Sequence, residues 1–116
     1  PFINAEAAAK KITKRMSSIN KIIDRTDQSN IGAYIYMAHQ QGLAGFEVLY
    51  VACKMYSNLD SEESLIKAAV SLNRSDSFGE RIYRNMKANG PGSPCQFIKT
   101  WTRKYDRNLK KMSSKL

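Results

Sequence analysis

Apolar residues in this chain recur at the spacing of an α-helix, and no run of four or more residues shows the alternation of a strand bounded by turns. A first helix is predicted over about residues 4–25. Its apolar stripe advances by four, three and four residues: Ile12, Met16, Ile19 and Ile23. A second helix is predicted from Ile31 to the residue before Gly42. The first third of the chain is therefore predicted to form two amphipathic helices.

The third apolar segment is the most hydrophobic part of the chain and follows a glycine-containing break at residues 42–45. It runs from Phe46 to Tyr56 and is rich in Val, Tyr and Phe, which are typical of strands. A lone strand has no partner here, whereas Phe46, Tyr50 and Cys53 fit one face of a helix. We therefore interpret the segment as a buried central helix.

Capping boxes indicate where three later helices begin. In this motif an oxygen-bearing side chain caps the helix three residues before a Glu or Gln. The pairs are Asp60 with Glu63, Ser77 with Glu80, and Ser93 with Gln96. They predict helices over about residues 61–72, 78–87 and 94–112, the last with Pro94 at the first position, where a missing N–H costs nothing. The chain is therefore predicted to be a single all-α domain over residues 1–116, with about six helices.

The net charge of +9 is concentrated at the two ends of the chain. Residues 1–28 carry six basic and three acidic side chains, residues 29–98 carry six of each, and residues 99–116 carry seven basic and one acidic. This distribution predicts two basic terminal helices flanking a neutral body. The longest apolar run, Val48 to Cys53, is far shorter than the roughly 18 residues that cross a bilayer, so no membrane span is expected.

Two cysteines, Cys53 and Cys95, and a single histidine, His39, limit the chemistry of any site. These residues are too few for a disulfide scaffold or a conventional zinc site, so we expect no metal and no cofactor. We favour two small buried cysteines, with a Cys53–Cys95 disulfide as the alternative.

Polar side chains end the second predicted helix at His39, Gln40 and Gln41, directly before Gly42. Amides and an imidazole beside Tyr36 suit the hydroxyl and acetamido groups of a sugar chain, which need directional donors and acceptors more than charge. The alternative is an ordinary helix end, with glycine in the left-handed conformation and polar residues in the last turn. On spacing alone, the ordinary helix end is favoured.

The run Ala38 to Gly45, Ala-His-Gln-Gln-Gly-Leu-Ala-Gly, resembles the Ala-His-Gln-Gln-Gly stretch of lysozyme-like muralytic domains in phage tail and baseplate proteins. It is also similar to the Ala-Tyr-Asn-Ala-Gly motif of soluble lytic transglycosylases, which lies at a helix end and lines the glycan-binding cleft. The resemblance implies a lysozyme-like fold and a site for bacterial cell-wall glycan. The substrate-binding residues that it implies are Tyr36, His39, Gln40, Gln41 and Gly42.

The resemblance also implies a catalytic glutamate upstream of the motif, which protonates the glycosidic oxygen. The only upstream glutamate is Glu6, and an exposed Ala-rich helix start does not favour the protonated carboxyl that a general acid needs. Either an acid-bearing part precedes Pro1, or the domain is a non-catalytic relative. Glu47 is a further candidate catalytic acid, since burial beside Phe46 and Tyr50 would favour its protonated form. The favoured alternative places Glu47 in the first turn of the third helix, where the helix dipole stabilises a carboxylate.

The basic C-terminal helix supports a competing function. Its seven cations surround Trp101 and Tyr105, a combination that attracts phosphates and offers rings for base stacking. Phe97, Trp101 and Tyr105 also have the spacing of a stripe that docks a helix on a core. The alternatives are therefore a basic nucleic-acid-binding module, or a structural virion protein without a ligand.

The function expected from the sequence is a peptidoglycan-engaging domain of a phage tail or related cell-puncturing particle. Bacterial cell-wall glycan is the expected ligand, and other tail or baseplate proteins are further expected partners. The chain begins with Pro1 rather than Met, so we expect a processed protein or a part of a longer one, and its polar first residues show no signal peptide. We therefore expect it on the virion or delivered to the bacterial envelope.

Overall fold

The computed structural model describes residue 14 and residues 16–90 and 92–114, and these residues are almost entirely helical. Helix α1 covers residues 16–22 of this part. A 3-10 helix at Arg25–Asn30 follows, and then α2 (Ile31–Gln41), α3 (Leu43–Met55), α4 (Ser61–Ser71), α5 (Asp76–Asn89) and α6 (Pro94–Ser114). No strand occurs in the described residues, so the all-α class is confirmed. Within the same residues, none of the helices has the length and hydropathy needed to cross a membrane.

Helix α3 lies at the centre of the domain and contacts α2, α4, α5 and α6. Its buried residues cover more than half of its circumference: Gly45, Phe46, Val48, Leu49, Tyr50 and Ala52. A helix with several packed neighbours has a wide apolar face, which explains its strand-like composition. The buried central helix is therefore confirmed, and the strand alternative is excluded.

The glycine-containing break between α2 and α3 is a single residue, Gly42, rather than the predicted four. Gly42 has φ 78° and ψ 155°, a conformation that suits glycine, and its carbonyl accepts the N–H of Phe46 at 3.0 Å. The residues after it already form the first turn of α3. Gly45 serves close packing instead, since a Cβ there would lie 3.1 Å from Cδ1 of Ile82 on α5.

Two of the three predicted caps are present. Asp60 Oδ1 accepts the N–H of Glu63 at 3.0 Å, and Ser93 Oγ accepts the N–H of Gln96 at 3.1 Å. The cap predicted at Ser77 is wrong, because α5 begins two residues earlier and is capped by Ser75.

Gly79, in the first turn of α5, lies where this helix crosses α4. A Cβ on Gly79 would lie 2.7 Å from Cα of Ile66, so the two backbones touch at this point. The absence of a side chain at Gly79 therefore allows the two helices to approach this closely.

The first helix also ends earlier than predicted, at residue 22 instead of about residue 25. The N–H of Asp24 donates to Tyr50 Oη at 2.8 Å, so it is not available to a helical carbonyl. Ile19 and Ile23 are buried as predicted, whereas Met16 is exposed. The predicted start of this helix and Glu6 lie outside the described residues.

A disulfide joins Cys53 near the end of α3 to Cys95 at the start of α6, with a Cα–Cα distance of 4.8 Å. The favoured interpretation of two separate buried cysteines is therefore wrong, and the alternative is confirmed. The two residues meet because α3 and α6 pack against each other, a tertiary contact that spacing along the chain does not encode.

Candidate functional site

A groove of about 400 Å³ lies between α2 and α6. We call it the aromatic groove, and its lining is Tyr36, Trp101, Lys104, Tyr105, Asn108, Leu109 and Met112. The ring centroid of Tyr36 lies 6.0 Å from that of Trp101 and 6.4 Å from that of Tyr105. Rings from two helices therefore form one continuous aromatic surface.

Packing on the core fixes the α6 side of the aromatic groove. Phe97 is buried one turn before Trp101, and the centroids of these two rings are 6.1 Å apart. Tyr105 lies so close to the backbone of Gly32 that a Cβ there would be 2.6 Å from Tyr105 Oη. The absence of a side chain at Gly32 thus allows α6 to approach α2.

The α2 side of the aromatic groove carries a polar pair one helical turn apart. Gln40 Nε2 donates to Tyr36 Oη at 3.0 Å, and both side chains are exposed. The amide oxygen of Gln40 is left to accept a hydrogen bond from a ligand, and the hydroxyl of Tyr36 is left to donate one. Lys104 completes the rim, with Nζ 4.8 Å from the ring centroid of Trp101.

Of the predicted glycan-binding residues, only Tyr36 lines the aromatic groove, and Gln40 is hydrogen-bonded to it. His39 and Gly42 are exposed and Gln41 is half-buried, and none of the three belongs to the groove lining. They lie at the end of α2, next to the polar pair in sequence. They remain predicted contacts for a ligand that extends beyond the groove.

Glu47, the candidate catalytic acid, is a half-buried residue of α3 and is not part of the groove lining. The favoured interpretation that it occupies the first turn of this helix is wrong. Because α3 begins at Leu43, Glu47 is its fifth residue, and the first turn contains no acidic side chain.

A second polar cluster, formed by Asp27, Tyr50 and Lys54, links the 3-10 helix to α3. Tyr50 Oη donates to Asp27 Oδ2 at 2.5 Å, and Lys54 Nζ lies 2.9 Å from the same oxygen. Burial raises the pKa of Asp27, but these two hydrogen bonds and the charge of Lys54 outweigh it and hold the pKa below its usual value. Burial, with the adjacent Asp27 carboxylate, raises the pKa of Tyr50 well above its usual value.

No protein-family model, curated protein or solved structure gives a significant match to this chain. What the described residues define is an all-α domain with a surface aromatic groove, and its function has to be inferred from the chemistry of that groove.

The sequence does not predict the contact between α2 and α6 that forms the aromatic groove. The sequence places Tyr36 beside the polar end of α2, and it places Trp101 and Tyr105 on a stripe of α6 that suits either docking or base stacking. The position of Tyr36 is a sequence signal for such a contact, since it lies outside the buried face of α2 that Tyr34, Met37 and Ala38 form. An aromatic residue outside the core stripe indicates a surface contact, although the sequence does not say with which helix.

Proposed function

We propose that this domain binds bacterial cell-wall glycan in the aromatic groove. The observation that carries the proposal is the cluster of Tyr36, Trp101 and Tyr105 with the Gln40 amide hydrogen-bonded at its edge. Sugar rings have apolar faces that stack on aromatic rings, while their hydroxyl and acetamido groups need directional donors and acceptors. The volume of the groove is within the range of small-ligand sites.

The resemblance of residues 38–45 to lysozyme-like muralytic domains supports the choice of peptidoglycan among glycans, and it is the basis for proposing a lysozyme-like domain of a phage tail or cell-puncturing particle. Other tail or baseplate proteins are the proposed partners. The Cys53–Cys95 disulfide supports a location on the virion or at the bacterial envelope, because disulfides persist outside the reducing cytosol.

The proposal concerns binding and includes no cleavage step. Glycoside hydrolysis needs a carboxyl group as general acid, and the lining of the aromatic groove contains no carboxylate among the described residues. The aromatic and amide groups that are present stabilise a bound sugar but do not protonate a leaving group.

Trp101 makes the proposal directly testable, since it is the single tryptophan of the chain and lines the groove. We expect an N-acetylglucosamine tetramer to change its fluorescence in a saturable manner. Binding to purified sacculi is measured in parallel by sedimentation. Tyr36→Ala and Gln40→Ala are expected to weaken both interactions by about tenfold, roughly the value of one aromatic contact or one hydrogen bond.

The matched control is Gln28→Ala, which removes an exposed glutamine from the 3-10 helix on a different element. It is expected to bind like the unmodified protein. The proposal is refuted if the tetramer leaves Trp101 fluorescence unchanged and the protein does not sediment with sacculi. It is also refuted if Tyr36→Ala binds as well as the Gln28→Ala control.

Nucleic acid is the second candidate ligand, favoured by the exposed cations Arg103, Lys104 and Arg107 on α6. The stacking surface for bases is limited, because Trp101 is half-buried and Lys104 lies over its ring. Nucleic-acid binding predicts an affinity for single-stranded oligonucleotides that falls steeply with salt and is reduced in Arg107→Gln. Glycan binding predicts little dependence on salt, so one titration series separates the two.

A further inference from the structure

A second cavity, of about 440 Å³, lies against a different face of α6. We call it the basic cavity. Its floor is apolar and consists of Tyr34, Tyr50, Ile98 and the Cys53–Cys95 disulfide, and its rim is polar and consists of Asp27, Asn30, Lys54, Lys99, Thr102 and Arg103. The cavity is separate from the aromatic groove, since the two linings share no residue.

The rim of the basic cavity has a charge excess that the protein itself does not neutralise. Three of its side chains are cationic and one is anionic, which gives a formal charge of +2. Asp27 is already engaged by Lys54 and by the Tyr50 hydroxyl. Lys99 and Arg103 are exposed, and among the described residues neither has an acidic group within ion-pair distance.

The positions of these two cations suit a single anionic group. Lys99 and Arg103 are four residues apart on α6, so they lie on the same face of the helix one turn apart. Arginine presents a planar fork of donors that matches a carboxylate in a bidentate manner. The apolar floor requires that the anion be attached to an aliphatic or aromatic body.

We infer that the basic cavity binds the carboxylate end of a short peptide, with the carboxylate on Arg103 and Lys99 and an aliphatic side chain on the floor. A compact phosphate fits less well, because it would leave the apolar floor unfilled. The identity of the peptide rests on the proposed function: the stem peptide of peptidoglycan carries free carboxylates and is attached to the glycan strand.

Heteronuclear NMR titration tests the inference with a defined probe. The probe is the N-acetylated stem tetrapeptide L-Ala-γ-D-Glu-L-Lys-D-Ala as the free acid, and its control is the same peptide with both carboxylates amidated. We expect shifts confined to amides around the cavity, including Asn30 and Thr102. The amidated peptide is expected to bind at least tenfold more weakly.

The matched pair of variants is Arg103→Gln and Arg107→Gln, which remove the same charge from adjacent turns of α6. Both residues are exposed, and only Arg103 lines the cavity. Arg103→Gln is expected to lower the affinity for the free acid at least tenfold, and Arg107→Gln to change it less than twofold. Equal effects of the two variants would overturn the inference, because they would indicate attraction to the general charge of the helix.

The inference is also overturned if acid and amide bind equally, or if inorganic phosphate displaces the peptide at equal concentration. Its failure is distinguishable from failure of the proposed function, which is read from Trp101 fluorescence with the glycan tetramer. Tetramer binding without peptide binding overturns only the peptide site. Peptide binding without tetramer binding supports the peptide site and refutes the proposal that glycan binds in the aromatic groove.

Discussion

Removing the Cys53–Cys95 disulfide is expected to destabilise the domain without changing its fold. The bridge joins residues 42 apart and so closes a long loop in the unfolded chain. For a loop of this length, the chain-entropy relation gives a stabilisation of about 4 kcal/mol at room temperature. Such a contribution is a large fraction of the roughly 5–15 kcal/mol that stabilises a typical domain.

The expected loss is somewhat smaller than this limit, about 2–4 kcal/mol, which is the range measured for native disulfides. The core is built from other side chains, because Phe46, Leu65 and Phe97 are fully or almost fully buried and none of them belongs to the bridge. The double variant Cys53→Ser/Cys95→Ser is therefore expected to remain folded and helical. In urea, with a slope of about 1.5 kcal/mol/M, a loss of 3 kcal/mol lowers the midpoint of unfolding by about 2 M.

Urea unfolding followed by circular dichroism and by Trp101 fluorescence measures this loss. The unmodified protein is compared with and without a reductant, and the double variant serves as the control because a reductant has no bond to cleave in it. Equal midpoints for the oxidised and reduced protein would refute the reasoning, as would two alkylatable thiols in the protein purified under oxidising conditions. Either result would mean that the start of α6 is not tied to α3.

Three further predictions concern backbone packing and charge. Gly42→Ala is expected to lower the free energy of unfolding in urea by about 1–3 kcal/mol. The cause is backbone strain alone, since φ is 78° and a Cβ there would meet nothing within 4 Å. A loss below about 0.5 kcal/mol would contradict this prediction. Gly79→Ala is expected to lower the Tm. Overpacking against the Ile66 backbone costs about 1–3 kcal/mol and outweighs the better helix propensity of alanine, which is worth about 1 kcal/mol. An unchanged or higher Tm would contradict this prediction. The pKa of Asp27 is lowered in the folded state, so its stabilising charge is fully present above about pH 4 and is lost as the pH falls through the folded pKa. Asp27→Asn should therefore lose about 1–2 kcal/mol at neutral pH and show a shallower loss of stability on acidification, measured by urea unfolding at several pH values, and an identical pH dependence would contradict this.

The features predicted correctly from the sequence are those with local causes. The caps at Asp60 and Ser93 depend on residues within one turn, and the buried stripes depend on helical periodicity. The predicted start of α5 is two residues late, because Ser77 has a glutamate three residues further on and Ser75 does not, although Ser75 is the cap. The close approach of α5 to α4 at Gly79 is a tertiary contact, which local spacing does not encode.

The candidate site was less predictable for the same physical reason. The pair of Tyr36 and Gln40 follows from their four-residue spacing on a helix, so its existence could be read from the chain. The position of this pair beside Trp101 requires that α6 pack on α2. That packing depends on the contact of Tyr105 with the bare backbone of Gly32, which is more than 70 residues earlier in the chain. The Cys53–Cys95 pairing likewise depends on how α6 packs, here against α3.

The aromatic stripe of α6 was open to two interpretations, a docking surface and a ligand surface, and the burial of its residues reconciles them. Phe97 is 1% exposed, Trp101 and Tyr105 are half-buried, and Leu109 and Met112 are 50% and 66% exposed. The helix therefore leaves the core progressively along its length. Its first turns dock on the core, and the later turns line the open end of the aromatic groove. The disulfide holds the docked end of α6 against α3, and Tyr105 packs against the backbone of Gly32 on α2, so the rings of the groove are held in place by contacts within the domain itself.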